Sequence, residues 1–251
     1  MKLLEITSAS NAQYKIWQSL LTSKGIKSHL QFFLMGAKLV EEFLLAPDPQ
    51  FSLEYILFDQ EIPFTTVAKK TILTKELFKT LDVLGTHAPL LVLSFKNFSE
   101  KDLLLKPKGL ELICPLGDPR NLGALIRSAV GFGVSEIILT QESTHPFLPH
   151  AIKASAGAAL KINFSVSPKK LAELPMVGDN YALELHGTKL SEVSWPNDLR
   201  LWVGEEGPGL GLTLDQKRIM KFINIPTEGI ESLNATISTA LALWEWRKSS
   251  C

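Results

Sequence analysis

The amino-acid sequence predicts an α/β protein with a smaller α/β domain over residues 1–96 and a larger domain over 109–251 built on a mostly parallel sheet. From Gly109 onward, apolar runs at 110–115, 135–140, 160–164, 181–185, 199–203 and 222–225 alternate with helical patterns. These runs are apolar nearly throughout instead of at every second position, as expected of strands covered by helices on both faces. Residues 1–95 repeat the alternation on a smaller scale, and the stretch 97–108, charged and interrupted by Pro107, reads as the linker between the two parts.

Each element has a local reason. Ser10 and Asn11 start a helix in which Tyr14, Trp17, Leu20 and Leu21 recur at helical spacing, ending near Gly25. Residues 31–35 form a strand, Gly36 turns the chain, and a helix over 37–45 is closed by Pro47 and Pro49. Residues 53–58 alternate as a strand, Thr74 caps a short helix through Phe78, and 90–95 is a buried strand. Nothing in this part has catalytic character, so its expected role is binding or positioning. In the larger part, helices are expected over 121–132, 151–158 and 168–174. A last helix opens at Ser232-Leu233-Asn234, where serine and asparagine oxygens can accept from first-turn N–H groups. Leu233, Ile237, Ala240, Leu241 and Trp244 then mark a buried stripe, and Arg247 and Lys248 suit the negative end of the helix dipole.

At 251 residues, 45% hydrophobic and 21% charged, the chain has the composition of a soluble globular protein, with a formal net charge of zero. A polyanionic partner must therefore meet a local patch. All five arginines (Arg120, Arg127, Arg200, Arg218, Arg247) lie at or beyond position 120, and residues 1–106 carry lysine as their cation. Cys114 and Cys251 make neither a metal spacing nor a disulfide framework, and Cys114 is expected to be a small buried residue. No signal peptide and no membrane-length apolar run is read, so a cytoplasmic location is expected. None of His29, His87, His145, His150 and His186 has a partner at metal-ligand spacing, and no metal is expected. His186 follows a strand of the larger domain and lies nearest its expected ligand edge.

Ligands of parallel sheets bind outside the carboxyl ends of the strands, and three unusual loops fall there. The first, 117–129, contains Asn121, Gly123 and Arg127 at a helix start. The plainer reading makes Asn121 a cap and Arg127 a solvated side chain. The second, 202–211, reads Gly204-Glu-Glu206-Gly-Pro-Gly209 and matches neither a P-loop nor the dinucleotide-binding G-x-G-x-x-G. The third is the Pro226-to-Asn234 turn. Each is a weak signal alone.

Together and in this order, the three resemble motifs 1, 2 and 3 of the SpoU/TrmH-type RNA ribose 2′-O-methyltransferases of the SPOUT superfamily. Asn121-Leu-Gly-Ala-Leu-Ile-Arg127 resembles motif 1, Gly204 to Gly209 motif 2, and Ile225-Pro226 through Asn234 motif 3. The segment 145–157 is similar to the one the family carries between motifs 1 and 2, and residues 32–42 resemble its small L30e-like substrate-binding domain. Here the turn before Ser232 is about one residue shorter than is usual in the family.

The resemblance implies a larger domain with a deep trefoil knot, binding S-adenosylmethionine (SAM) and methylating a ribose 2′-hydroxyl of tRNA or rRNA. It implies a homodimer in which the partner subunit helps to build each active site; the helix from Ser232, apolar around much of its surface, is the candidate interface, with an ordinary core helix as the alternative. It carries catalytic roles to Arg127, Asn121, Glu206, Ser232 and Asn234, and cofactor contacts to the backbone at Leu183, Gly204, Ile225 and Leu233. Two rivals are a catalytically silent RNA-binding homologue, which the presence of all five catalytic-type residues opposes, and a nucleotide-dependent oxidoreductase, which the missing glycine fingerprint opposes.

Overall fold

The computed structural model describes residues 4–60, 69–204, 210–230 and 233–249. In chain order the first elements are β1 (Leu4–Ile6), α1 (Ala12–Ser19), α2 (Ser23–His29), β2 (Gln31–Leu34), α3 (Ala37–Leu45), β3 (Phe51–Phe58), β4 (Lys69–Leu73), α4 (Lys75–Leu81) and β5 (Leu90–Phe95). There follow β6 (Ser99–Glu100), β7 (Leu110–Cys114), α5 (Pro119–Phe132), β8 (Glu136–Leu139), α6 (Pro149–Ala154) and β9 (Asn163–Val166). The chain continues through β10 (Asn180–Lys189), β11 (Leu199–Trp202), α7 (Leu214–Ile219), β12 (Lys221–Asn224) and α8 (Ala235–Ser249). Two compact units result: residues 1–97 with 145–157, and residues 98–144 with 158–251.

The first unit is organised on a five-stranded mixed sheet of order β1-β4-β3-β5-β2, with β5 antiparallel to both its neighbours. On it packs a core of Tyr14, Trp17, Leu20, Phe33, Leu57, Phe78 and Leu90, all buried. The single helix expected from Asn11 to Gly25 is two. Asn11 caps α1 through its side-chain oxygen, and the Thr22 hydroxyl accepts from the Gly25 N–H to open α2. Gly25 is a close-approach residue, not a helix end: a Cβ there would stand 1.9 Å from the Ser19 carbonyl oxygen. Strands β1 and β4 were not anticipated.

Residues 145–157 complete this unit. Phe147 stacks on Phe32 at 4.4 Å between ring centres and meets Phe95 and Phe51 edge-on at 5.0 and 5.7 Å. His145, 3% exposed, accepts the Phe147 N–H at its Nδ1 and donates its own N–H to the Ser23 hydroxyl. Burial, reinforced by the Lys27 charge, pushes its pKa down to about 3. Above the ordinary histidine pKa of ~6.5 folded and unfolded states are both neutral at this position. Below it the unfolded chain takes up a proton that the folded one refuses. Stability should therefore fall as pH drops from about 6.5 toward 3, by up to about 1.4 kcal/mol per pH unit from this group. In urea titrations between pH 7 and 4.5, His145→Gln should lose about one proton's worth of that slope; an unchanged slope would refute the assignment.

The second unit is a seven-stranded sheet of order β12-β10-β11-β7-β8-β9-β6, every pairing of which is parallel. β7 and β11 are buried at every residue, as expected of strands covered on both faces, although each carries one charged residue, Glu111 and Arg200. The stretch expected as a linker donates β6 to the sheet edge. The strand expected at 160–164 forms at Asn163–Val166, and 168–174 holds only a short 3₁₀ turn at Leu171–Glu173. Helix α7 was not anticipated, although Thr213-x-x-Gln216 before it is a capping box with both reciprocal bonds formed.

The amino-terminal half of this sheet carries a buried charge network. Arg200 of β11, fully buried, donates from Nε to Glu111 of β7 at 2.9 Å, and from its two terminal nitrogens to the carbonyls of Leu103, Val177 and Leu105. Lys101 bridges Glu111 and Glu136 of β8 at 2.7 and 2.5 Å. The planar arginine fork thus pins 103–105 and 177 to the sheet, a use that a single ammonium could not reproduce.

The stripe expected to be buried on α8 is a correction. The residues buried on this helix are Thr236, Thr239, Ala242, Leu243 and Trp246, whereas Ile237, Leu241 and Trp244 are 55%, 39% and 53% exposed. α8 is apolar on two faces. The small Thr and Ala side chains face inward, where α8 packs against α5 and lets the two backbones approach.

Candidate active site

Because all the strands of the second unit run the same way, their carboxyl ends lie along one edge. β10 sits between β12 and β11, with Leu183 opposite Ile223 and Ala182 opposite Trp202. Adjacent strands are ~4.8 Å apart, so Leu183, Gly204 and Ile225 leave three neighbouring strand ends. These three and Leu233 are half-buried. None of the four carries a charged side chain, and what they offer a ligand is mainly backbone N–H and C=O groups.

Beyond Leu183 the strand bulges outward through Glu184, Leu185 and His186, all exposed, and returns so that Thr188 also lies opposite Ile223. The Asn224 amide ties the bulge down, donating to the Leu185 carbonyl at 2.7 Å. Gly187 makes the return possible: a Cβ there would lie 2.5 Å from both Ile223 N and Phe222 C, which are backbone atoms that cannot swing away. Gly187→Ala should cost on the order of 1–3 kcal/mol through forced backbone displacement. Gly117→Ala, whose Cβ meets only the Glu142 carbonyl at 3.7 Å, is the control in the same denaturation assay. Equal stabilities of the two variants would overturn this reading of the bulge.

Two helices start at this edge. α5 is capped by Asp118, whose Oδ1 accepts the N–H groups of Arg120 and Asn121 at 2.8 and 2.9 Å, with Pro119 in the first position. The cap is therefore not Asn121, which is half-buried in the first turn. Aspartate with proline behind it competes better for that position. α8 is capped by Asn234, whose Oδ1 accepts from Thr236 and Ile237. The Thr236 hydroxyl then donates to the Asn121 carbonyl at 3.3 Å, joining the starts of the two helices. Converging helix starts bring two positive dipole ends to one place, favourable to anionic groups.

The helix starts that carry Asn121 and Asn234 are thus joined, through the Asn121 backbone carbonyl. Arg127 stands on the exposed face of α5, on a different side from Asn121, and makes no ion pair among the described residues. Glu206 and Ser232 lie outside the described residues. The turn before Ser232 contains Gly229 at φ +73° and is closed by the Thr227 hydroxyl on the Ile230 carbonyl at 3.0 Å. Asp118 and Thr236 were not singled out from the sequence; the Asp-Pro pair ahead of a helix was the available signal for the first.

Two further titratable groups near this edge, Cys114 and Glu142, are structural. Burial pushes the Cys114 thiol up to about 12, leaving it a neutral core residue. Burial also works against ionisation of Glu142, but the Thr140 hydroxyl and the Leu171 N–H on its two oxygens outweigh it and lower the pKa. Among the described residues no group of three or more His, Cys, Asp or Glu side chains is arranged to hold a metal ion. No helix among them is long and apolar enough to cross a membrane.

Comparison with known proteins places these features. The sequence profile described as the SpoU rRNA Methylase family matches residues 112–244. "Ribosomal RNA small subunit methyltransferase G 2" of Syntrophobacter fumaroxidans is 36% identical over 250 residues, which is 98% of this chain but 49% of that protein. "23S rRNA (guanosine(2553)-2'-O)-methyltransferase RlmP" of Bacillus subtilis is 28% identical over 257 residues, covering 97% of this chain and 99% of that one. Among solved structures, the SpoU methyltransferase AviRb of Streptomyces viridochromogenes, in complex with AdoMet, superposes with a TM-score of 0.78 at 18% identity, over 96% of this chain and 98% of that one. That likeness establishes the fold.

Proposed function

The chain belongs to the SpoU rRNA Methylase family, and we propose that it transfers a methyl group from S-adenosylmethionine to a ribose 2′-hydroxyl of ribosomal or transfer RNA. The observation that carries the reading is the joining of the first and third motifs: Thr236, two residues after Asn234, bonds directly to Asn121. A half-buried rim of uncharged residues at Leu183, Gly204, Ile225 and Leu233 fits a cofactor held through its adenine and ribose by backbone groups. The deep trefoil knot belongs to this reading, supported by the tight passage of Gly187 against β12. So does a division of labour between a substrate-binding domain at 1–96 and a methyltransferase domain at 109–251.

When bound, S-adenosylmethionine would supply an electrophilic methyl carbon to the 2′-oxygen, with S-adenosylhomocysteine as the leaving group and the hydroxyl proton passing to solvent water. Holding the hydroxyl in line contributes about 7–11 kcal/mol of barrier lowering in well-oriented systems. Arg127 offers a fork of N–H donors and no acceptor atom, so it is no proton acceptor here. It therefore aligns the target phosphate and stabilises the developing alkoxide. Asn121 orients the hydroxyl beside it, and Glu206 anchors the second loop and the substrate. The Oδ1 of Asn234 is committed to the α8 cap, so with Ser232 this residue holds the rim and does not accept the proton.

The family name and the end-to-end Bacillus relative make large-subunit rRNA the first substrate to test. The Syntrophobacter name is weaker guidance, because half of that protein lies outside the match. The assay is transfer of labelled methyl from S-adenosylmethionine to total RNA from cells lacking the protein. Label at a nucleotide resistant to alkaline cleavage supports the reading. Cofactor and RNA binding without label on any RNA fraction would favour the catalytically silent homologue.

The exposed Ile237, Leu241 and Trp244 lie at helical spacing on one face of α8, and a second copy of the chain is the proposed cover. Trp244→Glu should convert the dimer to a monomer in sedimentation at micromolar protein. A wild-type monomer, or a variant that stays dimeric, would remove this interface.

A further inference from the structure

We infer that α2 and α6 together form an RNA-phosphate-binding face on the first unit; this rests on the proposed RNA substrate. Residues 7–40 contain Lys15, Lys24, Lys27 and Lys38 and no aspartate or glutamate, and residues 143–157 contain Lys153, His145 and His150 and again no acid. In a chain of zero net charge, two acid-free cationic stretches are notable only if they meet in space. They do. The His145 N–H bonds to the hydroxyl of Ser23, the first residue of α2, at 3.1 Å. Lys27 of α2 lies close enough to His145 to depress its titration. Both α2 and α6 pack beside β2, the edge strand of the five-stranded sheet.

The cations point outward. Lys24, Lys27 and Lys153 are exposed, while Gly25, Ile26, Ala151 and Ile152 take the inward positions of the same helices. Lys24 and Lys27 are three residues apart on a helix and so share a face. None of the three makes an ion pair among the described residues, unlike Lys38, Lys189 and Lys248, which face Glu42, Glu192 and Glu245. Lysines already neutralised by carboxylates gain little from a phosphate; unpaired ones release counterions when they meet one. The face is also held rigidly, because Phe147 is stacked into the aromatic cluster of Phe32, Phe51 and Phe95 at the start of the segment that carries Lys153. Its partner is an RNA backbone read by charge and shape and not by base identity.

The test compares the triple variant Lys24→Gln/Lys27→Gln/Lys153→Gln with Lys38→Gln/Lys189→Gln/Lys248→Gln, which removes equal charge from paired positions. Affinity for a large-subunit rRNA transcript is measured from 50 to 300 mM salt, with S-adenosylmethionine affinity as the control for folding. The first variant should bind RNA on the order of tenfold to hundredfold more weakly at low salt, with a log–log salt slope reduced by about 2–3. The second should stay near wild type. A wild-type slope in the first variant, or equal losses in both, overturns the assignment while leaving the proposed activity standing. A wild-type protein that binds no RNA overturns both.

Discussion

Arg127→Ala should abolish methyl transfer while S-adenosylmethionine still binds within a few-fold of wild type. The expectation follows from where the side chain stands. Arg127 is exposed, about two and a half turns beyond the Asp118 cap of α5, and makes no ion pair among the described residues. Its guanidinium is therefore not committed to holding the fold, and the backbone rim proposed to hold the cofactor does not include it. Removal of a single donor that stabilises developing negative charge costs about 10²–10³ in rate. Loss of the phosphate alignment adds to that, and turnover should fall below detection. Arg127→Lys separates the two contributions, because it keeps the charge and loses the two-pronged fork. Activity between the wild type and the alanine variant is expected, with most of the loss in kcat. The measurements are single-turnover methyl transfer and calorimetric cofactor binding. Alanine-variant turnover near wild type would end the proposed role of Arg127, and lost cofactor binding would move it into the cofactor site.

Much of this arrangement was legible beforehand, for reasons that differ by element. Strands such as Leu110–Cys114 and Leu199–Trp202 are buried at every residue, so the core itself writes an apolar run into the sequence, broken in each by one charged residue, Glu111 and Arg200, that pairs with the other. Asn11, Thr74 and Asn234 accept first-turn N–H groups as their chemistry suggests. The failures are equally physical. β6 is two residues long and exposed, and its place in the sheet is set by a partner strand distant in sequence. The faces of α8 could not be ranked from hydrophobicity, because large apolar residues lie on both: Leu243 and Trp246 are buried beside the small Thr236, Thr239 and Ala242, while Ile237, Leu241 and Trp244 are left outside. The site followed the same division. The motifs named Asn121 and Asn234, but the hydroxyl linking their helices belongs to Thr236, an unremarkable residue until α5 and α8 are side by side. The grouping of 145–157 with the first unit depends on aromatic contacts made across more than a hundred residues of sequence.

Arg200→Ala should be the most destabilising single substitution in the second unit, costing about 3–5 kcal/mol. Arg200 is fully buried, as is most of Glu111, and the substitution strips that carboxylate of its short guanidinium bond and leaves the carbonyls of Leu103, Leu105 and Val177 without the donors they now share. Lys101 remains beside Glu111, but it is also engaged with Glu136, so one ammonium would serve two carboxylates as the remaining cation of the cluster. Arg200→Lys should recover only part of the loss, because an ammonium on a shorter reach cannot serve Glu111 and three diverging carbonyls at once. The double variant Arg200→Met/Glu111→Leu should be less damaged than the sum of its two single substitutions, since removing both partners leaves no buried charge unpaired. Urea unfolding of the four proteins yields the coupling energy directly; additive losses would mean that the pair is not the source of the effect. The network occupies the amino-terminal half of the strands, away from the edge where Leu183, Gly204 and Ile225 lie. The folded fraction of Arg200→Ala should accordingly bind S-adenosylmethionine normally, as Arg127→Ala should. The exposed arginine would then be assigned to the chemistry by lost transfer at unchanged stability, and the buried one to the fold by lost stability.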